Sequence, residues 1–321
     1  MNPSKFLPII GLMLFIYVVI SNNPGAIASA FLSISLPWLL LSIALSFCVL
    51  FLKGLKWKAV IRLHNLDYPL GSCIKVWATG LFAGIITPGR VGDFIRAFYL
   101  RRRLKSFGIS LSTVIVDRII DMVVVLLFAI VGIVLMNYWF GSSMVSFGLL
   151  SVFIIIILAL LYLVMKKGVM TLVLRPFFRF LVPAKHKESA RAGFHEFYEC
   201  VGKLKHRKDG LLVVSIFTVL IWLFSILQIY VIGLAIGITF NYLFLLAVMS
   251  VVVIIELIPV SVSGLGTREL FLALSLSLIG IGAENAIAFS LLYMIIAYWS
   301  IAIMGLVFWV RDPVEISSSS S

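Results

Sequence analysis

Charge is scarce in this sequence, and acidic charge scarcest: Lys and Arg number 26, Asp and Glu only 13, and charged residues make up 12% of the chain. A soluble domain of 321 residues needs a far larger polar complement to cover its surface, so that class is excluded. Cysteine is rare as well. Cys48, Cys73 and Cys200 share no metal-type spacing, which argues against a disulfide framework or a zinc site and leaves packing cysteines. The histidines His64, His186, His195 and His206 form no HExxH or other ligand pattern and read as solvated. A Walker-type phosphate loop, a GxGxxG strand–helix junction and a Ser nucleophile elbow are all missing. Transport driven by ATP within this chain is therefore not expected, nor is any cofactor or bound metal.

What is abundant is apolar sequence. Hydrophobic residues make up 62% of the chain, and the mean hydropathy is +1.18. A helix needs about 20 apolar residues to cross the hydrocarbon core. Full or near-full spans read at residues 6–20, 36–52, 109–136, 145–165, 211–236, 242–259 and 287–310. Two further apolar stretches, 76–87 and 270–282, are too short or too interrupted for ordinary spans. The fold expected is an all-α polytopic bundle of about eight membrane helices with one or two re-entrant or broken segments, open to an inverted repeat. Residues 1–316 form one transmembrane domain, and the five serines 317–321 are a tail.

The net charge of +13 is placed by position rather than aimed at nucleic acid. Residues 53–75 hold five Lys or Arg, 90–105 hold six and 166–208 hold eleven, whereas 21–37, 137–144 and 237–241 hold none. Basic and empty connections alternate, as the positive-inside rule requires. The expectation is a multi-pass protein of the cell membrane with both termini in the cytoplasm. The connection 166–210 reads as an amphipathic collar: an interfacial helix over 169–181, then a charged helix over 186–208. Basic segments there favour anionic lipid headgroups, so membrane lipids are the expected partners and a homo-oligomer is left open.

A charged side chain inside a bilayer is costly and is usually paired or lines a wet cavity, so the acids within apolar sequence are informative. One constellation is Thr87-Pro88-Gly89-Arg90-Val91-Gly92-Asp93-Phe94-Ile95-Arg96. Pro and two Gly residues interrupt a helix there, freeing backbone groups. A helix start beside Arg90 and Arg96 favours an anionic group such as phosphate. The alternative is a cytoplasmic turn whose arginines only enforce topology.

A second constellation repeats the ingredients: Glu256, then Pro259, Ser263, Gly264 and Gly266, then Arg268 and Glu269. Paired Gly/Pro-broken segments, one in each half of a chain, are a sequence pointer to a transporter's substrate site; a packing kink is the plainer account. The third is Asp117-Arg118-Ile119-Ile120-Asp121. Its carboxylates lie four apart on one helix face. They could hold Mg²⁺ on a diphosphate, or pair with Arg90, Arg96 or Arg268.

Taken together in this order, these three motifs resemble the membrane-domain family that includes the flippase part of bacterial lysylphosphatidylglycerol synthases, and the resemblance covers nearly the whole chain. It implies a helical bundle with re-entrant elements that moves lipids between leaflets. No soluble synthase domain follows the last span in this sequence, so the aminoacyl-transfer activity of the fused proteins is not carried over and no enzyme activity is expected. The function expected is a flippase for a phosphate-bearing lipid: a phospholipid, an aminoacylated phospholipid or a polyprenyl phosphate. Arg90, Arg96 and Arg268, with Gly89, Gly92, Ser263, Gly264 and Gly266, would form the substrate site. Asp93, Asp117, Arg118, Asp121, Glu256 and Glu269 would pair charges or couple a proton. The alternatives are an Mg-dependent membrane enzyme acting on a lipid-linked phosphate and an accessory subunit of an envelope-lipid pathway.

Overall fold

The computed structural model describes residues 7–104, 106–140, 207–257 and 261–313, with the isolated residues 155, 159 and 202. The expected span 145–165, nearly all of the connection 166–210, the segment 258–260 and the tail lie outside the described residues.

Helix α1 (Leu7–Ser21) begins the bundle. Asn23 then takes the left-handed conformation (φ 41°) and accepts a hydrogen bond from the Ala26 N–H at 3.2 Å, while Pro24 sits at the start of α2 (Pro24–Leu32). That Asx cap ahead of a proline turns the chain by 83°. The uncharged connection read over 21–37 is thus mostly helix.

Helix α3 (Leu36–Leu63) does not stop at Leu52 as the hydropathy suggests. Nothing between Lys53 and Leu63 breaks a helix except Gly54, and the stop comes only at Asn65, with φ 58°. Lys53 and Lys56, counted above in a connection, therefore sit on a membrane helix. At 1.5 Å per residue its 28 residues extend about 42 Å, beyond the roughly 30 Å hydrocarbon thickness.

The next segment enters and leaves from one end of the bundle. Helix α4 (Leu70–Ile85) is followed by a 3₁₀ segment (Pro88–Phe94) and by α5 (Ile95–Leu104). The Arg103 guanidinium lies 5.4 Å from the ring centre of Tyr68, so the end of α5 returns beside the start of α4. The segment is thus a hairpin at the place where a re-entrant one is expected, near residues 76–96.

Long α6 (Phe107–Phe140) and α7 (Lys208–Ala235) follow. Then come the shorter α8 (Tyr242–Leu257) and α9 (Thr267–Ser277). Helix α10 (Ala283–Tyr293) continues through one π-helical turn (Met294–Trp299) into α11 (Ser300–Arg311).

The main packing pairs are α3 with α7, α6 with α8 and α4 with α11. Close approach explains two glycines: a Cβ on Gly132 would lie 2.5 Å from Ala247, and one on Gly305 would lie 2.1 Å from the Ala78 carbonyl oxygen. The core between these pairs includes Trp57, Ala78, Leu245, Met249, Leu272 and Phe289, while Leu40, Phe47, Ile216, Leu223 and Val310 face outward, as a lipid-facing surface requires.

The protein is an all-α membrane protein. Among the described residues, four helices are long and apolar enough to cross a membrane, or five if the bent α1–α2 pair is one span. The figure of about eight is not reached there: α4 and α8 are each 16 residues long, and the short segment expected at 270–282 is the 11-residue α9.

Candidate functional site

Both breaks use the same backbone device, two successive residues in the left-handed region. In the first they are Gly89 (φ 62°) and Arg90 (φ 56°). In the second they are Ser263 (φ 53°) and Gly264 (φ 78°), with Gly266 (φ 86°) just beyond. The left-handed conformation costs a residue with a side chain about 1–2 kcal/mol, so Arg90 must be held by other contacts. Its Nη2 donates to Glu256 Oε2 at 2.6 Å, and its guanidinium lies 4.8 Å from the centre of the Tyr298 ring.

The first break folds back under the end of α4. Thr87 Oγ1 donates to the Ala83 carbonyl at 2.9 Å and accepts from Gly92 N at 2.7 Å. A Cβ on Gly92 would lie 2.0 Å from that same carbonyl oxygen, so only glycine fits. Gly80 and Gly84, four apart on α4, make room for the charges that follow: a Cβ on Gly80 would lie 2.6 Å from Arg96 Cγ.

The fully buried Arg96 donates through Nη1 to Asp117 Oδ2 at 2.9 Å and stacks over the Trp57 ring at 4.6 Å. Asp93 is paired with Arg118 of α6 and stands 3.6 Å from Arg96 Nε. Asp117 also takes the Lys56 ammonium at 2.8 Å, and Lys56 pairs with Asp121 in addition. The two α6 carboxylates thus share one lysine from α3. Among the described residues no group of three or more His, Cys, Asp or Glu side chains could hold a metal ion.

The second break is closed upon itself. Arg268 and Glu269 are fully buried. Arg268 donates to Glu269 Oε1 at 2.7 Å, to Ser290 Oγ at 2.8 Å and to Glu256 Oε1 at 3.3 Å. Glu269 Oε2 accepts the Gly266 N–H at 2.6 Å, capping α9. A Cβ on Gly264 would lie 2.6 Å from Glu256 Cγ, so this glycine leaves the passage through which Glu256 reaches both arginines.

The π turn delivers the remaining polar atoms. Residues five apart share a face in π geometry but not in an α-helix. Tyr293 and Tyr298 accordingly meet hydroxyl to hydroxyl at 2.6 Å, and Tyr298 donates onward to Glu256 Oε2 at 2.7 Å. With the Tyr298 proton committed to Glu256, Tyr293 is the donor of the pair. Within the turn, the Ile296 carbonyl accepts from Ser46 Oγ of α3 at 3.0 Å.

These elements enclose a cavity of about 640 Å³ between α3, α6, α7, α8, the first break and the π turn. One end is charged, with Lys53, Lys56, Arg90, Asp93, Arg118 and Asp121 in its wall. Mainly apolar side chains line the rest, among them Val125, Leu126, Ile221, Met249, Val253 and Leu257, together with Trp77 and Trp222; Ser225, Gln228, Tyr293 and Tyr298 are the polar residues there. From Arg118 to Leu126 the wall runs eight residues along α6, about 12 Å.

Of the sequence-selected residues, Gly89, Arg90, Asp93, Arg118 and Asp121 line the cavity. Arg96, Asp117, Glu256, Arg268, Glu269 and Gly264 stand behind the wall and hold it, whereas Gly92, Ser263 and Gly266 shape the two breaks. Lys53, Lys56, Tyr293 and Tyr298 were missed. For the lysines a signal existed: Val49, Lys53 and Lys56 fall at i, i+4 and i+7, one continuous helix face. The tyrosine pair carried none, because its spacing has meaning only once the π turn is known.

Fold and site together define a multi-pass helical membrane protein built around an internal cavity, charged at one end and apolar at the other. The chain belongs to the family described as the lysylphosphatidylglycerol synthase TM region, which it matches over residues 7–305. It is 24% identical over 320 residues to a UPF0104 membrane protein of Methanothermobacter thermautotrophicus, covering 95% of this chain and 94% of that protein. A UPF0104 membrane protein of Methanocaldococcus jannaschii is 25% identical over 313 residues, with 92% and 87% covered. One from Pyrococcus horikoshii is 22% identical over 293 residues, with 86% and 88% covered.

Proposed function

We propose that this protein is a lipid flippase of the cell membrane that carries a phosphate-bearing lipid between leaflets, with its headgroup in the charged end of the cavity. The observation that carries the proposal is the division of the cavity itself: cations and paired acids at one end, and a mainly apolar wall continuing from them, which along α6 runs from Met122 to Leu126, about 6 Å. A soluble anion needs no such wall, and a lipid tail needs no such cations. Membership of a family named for a lipid synthase's transmembrane region supports a lipid-related role.

In this proposal Arg90 and Arg118 meet the phosphate, and Gly89 lets the backbone approach it. Arg96, Arg268, Asp117, Glu256 and Glu269 hold those cations in register. Candidate cargoes are a phospholipid, an aminoacylated phospholipid and a polyprenyl phosphate. Alternation of basic and uncharged connections supports cytoplasmic termini.

The test is leaflet exchange of acyl-labelled lipids in proteoliposomes, comparing the native chain with Arg90→Ala and Arg268→Ala. Exchange by the native protein that both variants lose is the expected result. Absence of exchange for every phosphate-bearing lipid would reject the flippase in favour of an accessory or enzymatic role.

A further inference from the structure

We infer that Lys53 sets the charge class of the cargo: the cavity takes a lipid whose headgroup carries one net negative charge, with a phosphodiester oxygen on the Lys53 ammonium. This inference rests on the flippase proposal above.

The observation is a mismatch of charges around the cavity. Arg268 is met by Glu269 at 2.7 Å, Arg90 by Glu256 at 2.6 Å and Arg96 by Asp117 at 2.9 Å. Arg118 is paired with Asp93, and Lys56 with both Asp117 and Asp121. Among the described residues these five carboxylates answer five cations, and Lys53 is the sixth. Among the described residues no carboxylate lies within 4 Å of it; its recorded contact is the Trp77 ring, 4.3 Å from the ammonium to the ring centre. Both side chains line the cavity, and Lys53 shares its helix face with Val49 and Lys56.

A ring face replaces only part of an ammonium's hydration, and an uncompensated charge within a membrane is costly unless a ligand or water answers it. The three N–H donors of Lys53 have no acceptor among the described residues. A phosphodiester brings both the missing charge and the missing acceptors. A zwitterionic headgroup brings the same phosphate together with a cation, and the nearby Asp93 and Asp121 are already engaged. A headgroup with net positive charge fares worse, and a dianionic phosphomonoester overshoots by one. Discrimination of this kind, through a charge left without a partner, is negative selection against the wrong cargo. The apolar wall beyond the ammonium favours a lipid over free phosphate.

The experiment measures exchange of acyl-labelled phosphatidylglycerol and phosphatidylcholine in proteoliposomes carrying the full chain, its Lys53→Gln form or its Lys53→Arg form. In parallel, native mass spectrometry in detergent reads retention of each lipid. The native chain is expected to prefer phosphatidylglycerol. Lys53→Gln should cut that preference about ten- to hundredfold, the scale of one charged hydrogen bond, and Lys53→Arg should keep it. Without lipid, the melting temperature of Lys53→Gln should not fall, because removing a charge that no carboxylate answers offsets the loss of its contact with the Trp77 ring.

Exchange by the native chain with equal rates for both lipids, or a preference unchanged in Lys53→Gln, overturns the inference and leaves the flippase proposal standing. Lys53-dependent retention of phosphatidylglycerol without any exchange has the opposite meaning: the site holds and the transport reading fails. Inorganic phosphate in excess should not compete, and competition would overturn the lipid assignment.

Discussion

Arg90 and Glu256 lie 166 residues apart in the chain and meet at 2.6 Å, tying the tip of the hairpin to the end of α8. Glu256 is fully buried and Arg90 nearly so. Removing one partner leaves the other's charge without its counterpart in a low-dielectric setting. A double-mutant cycle with Arg90→Ala and Glu256→Ala should therefore give a coupling of about 1–3 kcal/mol, read from unfolding in detergent. Additive effects would mean that the contact does not hold the hairpin.

The hydroxyl chain from Tyr293 through Tyr298 to Glu256 has a direction, and the two phenylalanine variants should differ accordingly. Tyr298→Phe removes a bond to a carboxylate, worth about 1.5–3 kcal/mol, and strands the Tyr293 hydroxyl. Tyr293→Phe removes a neutral bond worth about 1 kcal/mol. Thermal unfolding should rank Tyr298→Phe as clearly the less stable; the reverse order would contradict the assigned donors.

Helices α4 and α11 touch through backbone. Gly305→Ala would place a methyl group 2.1 Å from the Ala78 carbonyl oxygen, whereas a methyl at Gly71 on the same α4 meets nothing within 4 Å. The first substitution should cost about 1–3 kcal/mol through overpacking. The second should be neutral or stabilising by about 0.4–1 kcal/mol through the unfolded chain. Equal melting temperatures for the two variants would show that the helices part without penalty.

At the mouth of the bundle His64 follows α3 and approaches Ser112 Oγ at 3.5 Å. It is not the solvated side chain that the sequence suggested. Burial pushes its imidazole down from 6.5 to about 4. The unfolded chain therefore takes up a proton below pH 6.5 while the folded one stays neutral. The stability this histidine supports is complete above pH 6.5 and is lost as pH falls toward 4, by about 2 kcal/mol at pH 5. His64→Gln should lose less stability than the native chain between pH 7.5 and 5, and parallel losses would exclude His64 as the cause.

Much of the site was legible because charges inside apolar sequence must find partners. Asp117 does meet Arg96, and Glu256 does meet Arg268 and Arg90. What the sequence could not rank was the two arginines beside the two breaks. Arg90 and Arg268 have the same local company of Gly and acid, yet one stands in the cavity wall and the other is sealed among Glu269, Ser290 and Glu256. That difference is set by which helices close over each break, information spread over the whole chain.

The extent of α3 was misjudged for a related reason. Two lysines ordinarily mark the edge of a membrane, and the burial of Lys56 depends on carboxylates 61 and 65 residues away. At the first bend, Asn23 and Pro24 open a helix inside what reads as an uncharged connection, because a nine-residue helix is below the length at which periodicity speaks.

The hairpin built on the short α4 also acquires its contacts in a fixed order during synthesis. Its leading helix, 16 residues or about 24 Å long, falls short of the bilayer core by several ångströms, so it has no independent hold there. Arg96 and Asp93 find Asp117 and Arg118 in the helix synthesised next, but Arg90 waits for Glu256, and α4 waits longer still for Gly305 near the end of the bundle. Helix α3 is already there for α4 to pack against, but the contacts that fix the tip of the loop and the far face of α4 exist only once the C-terminal half has been translated.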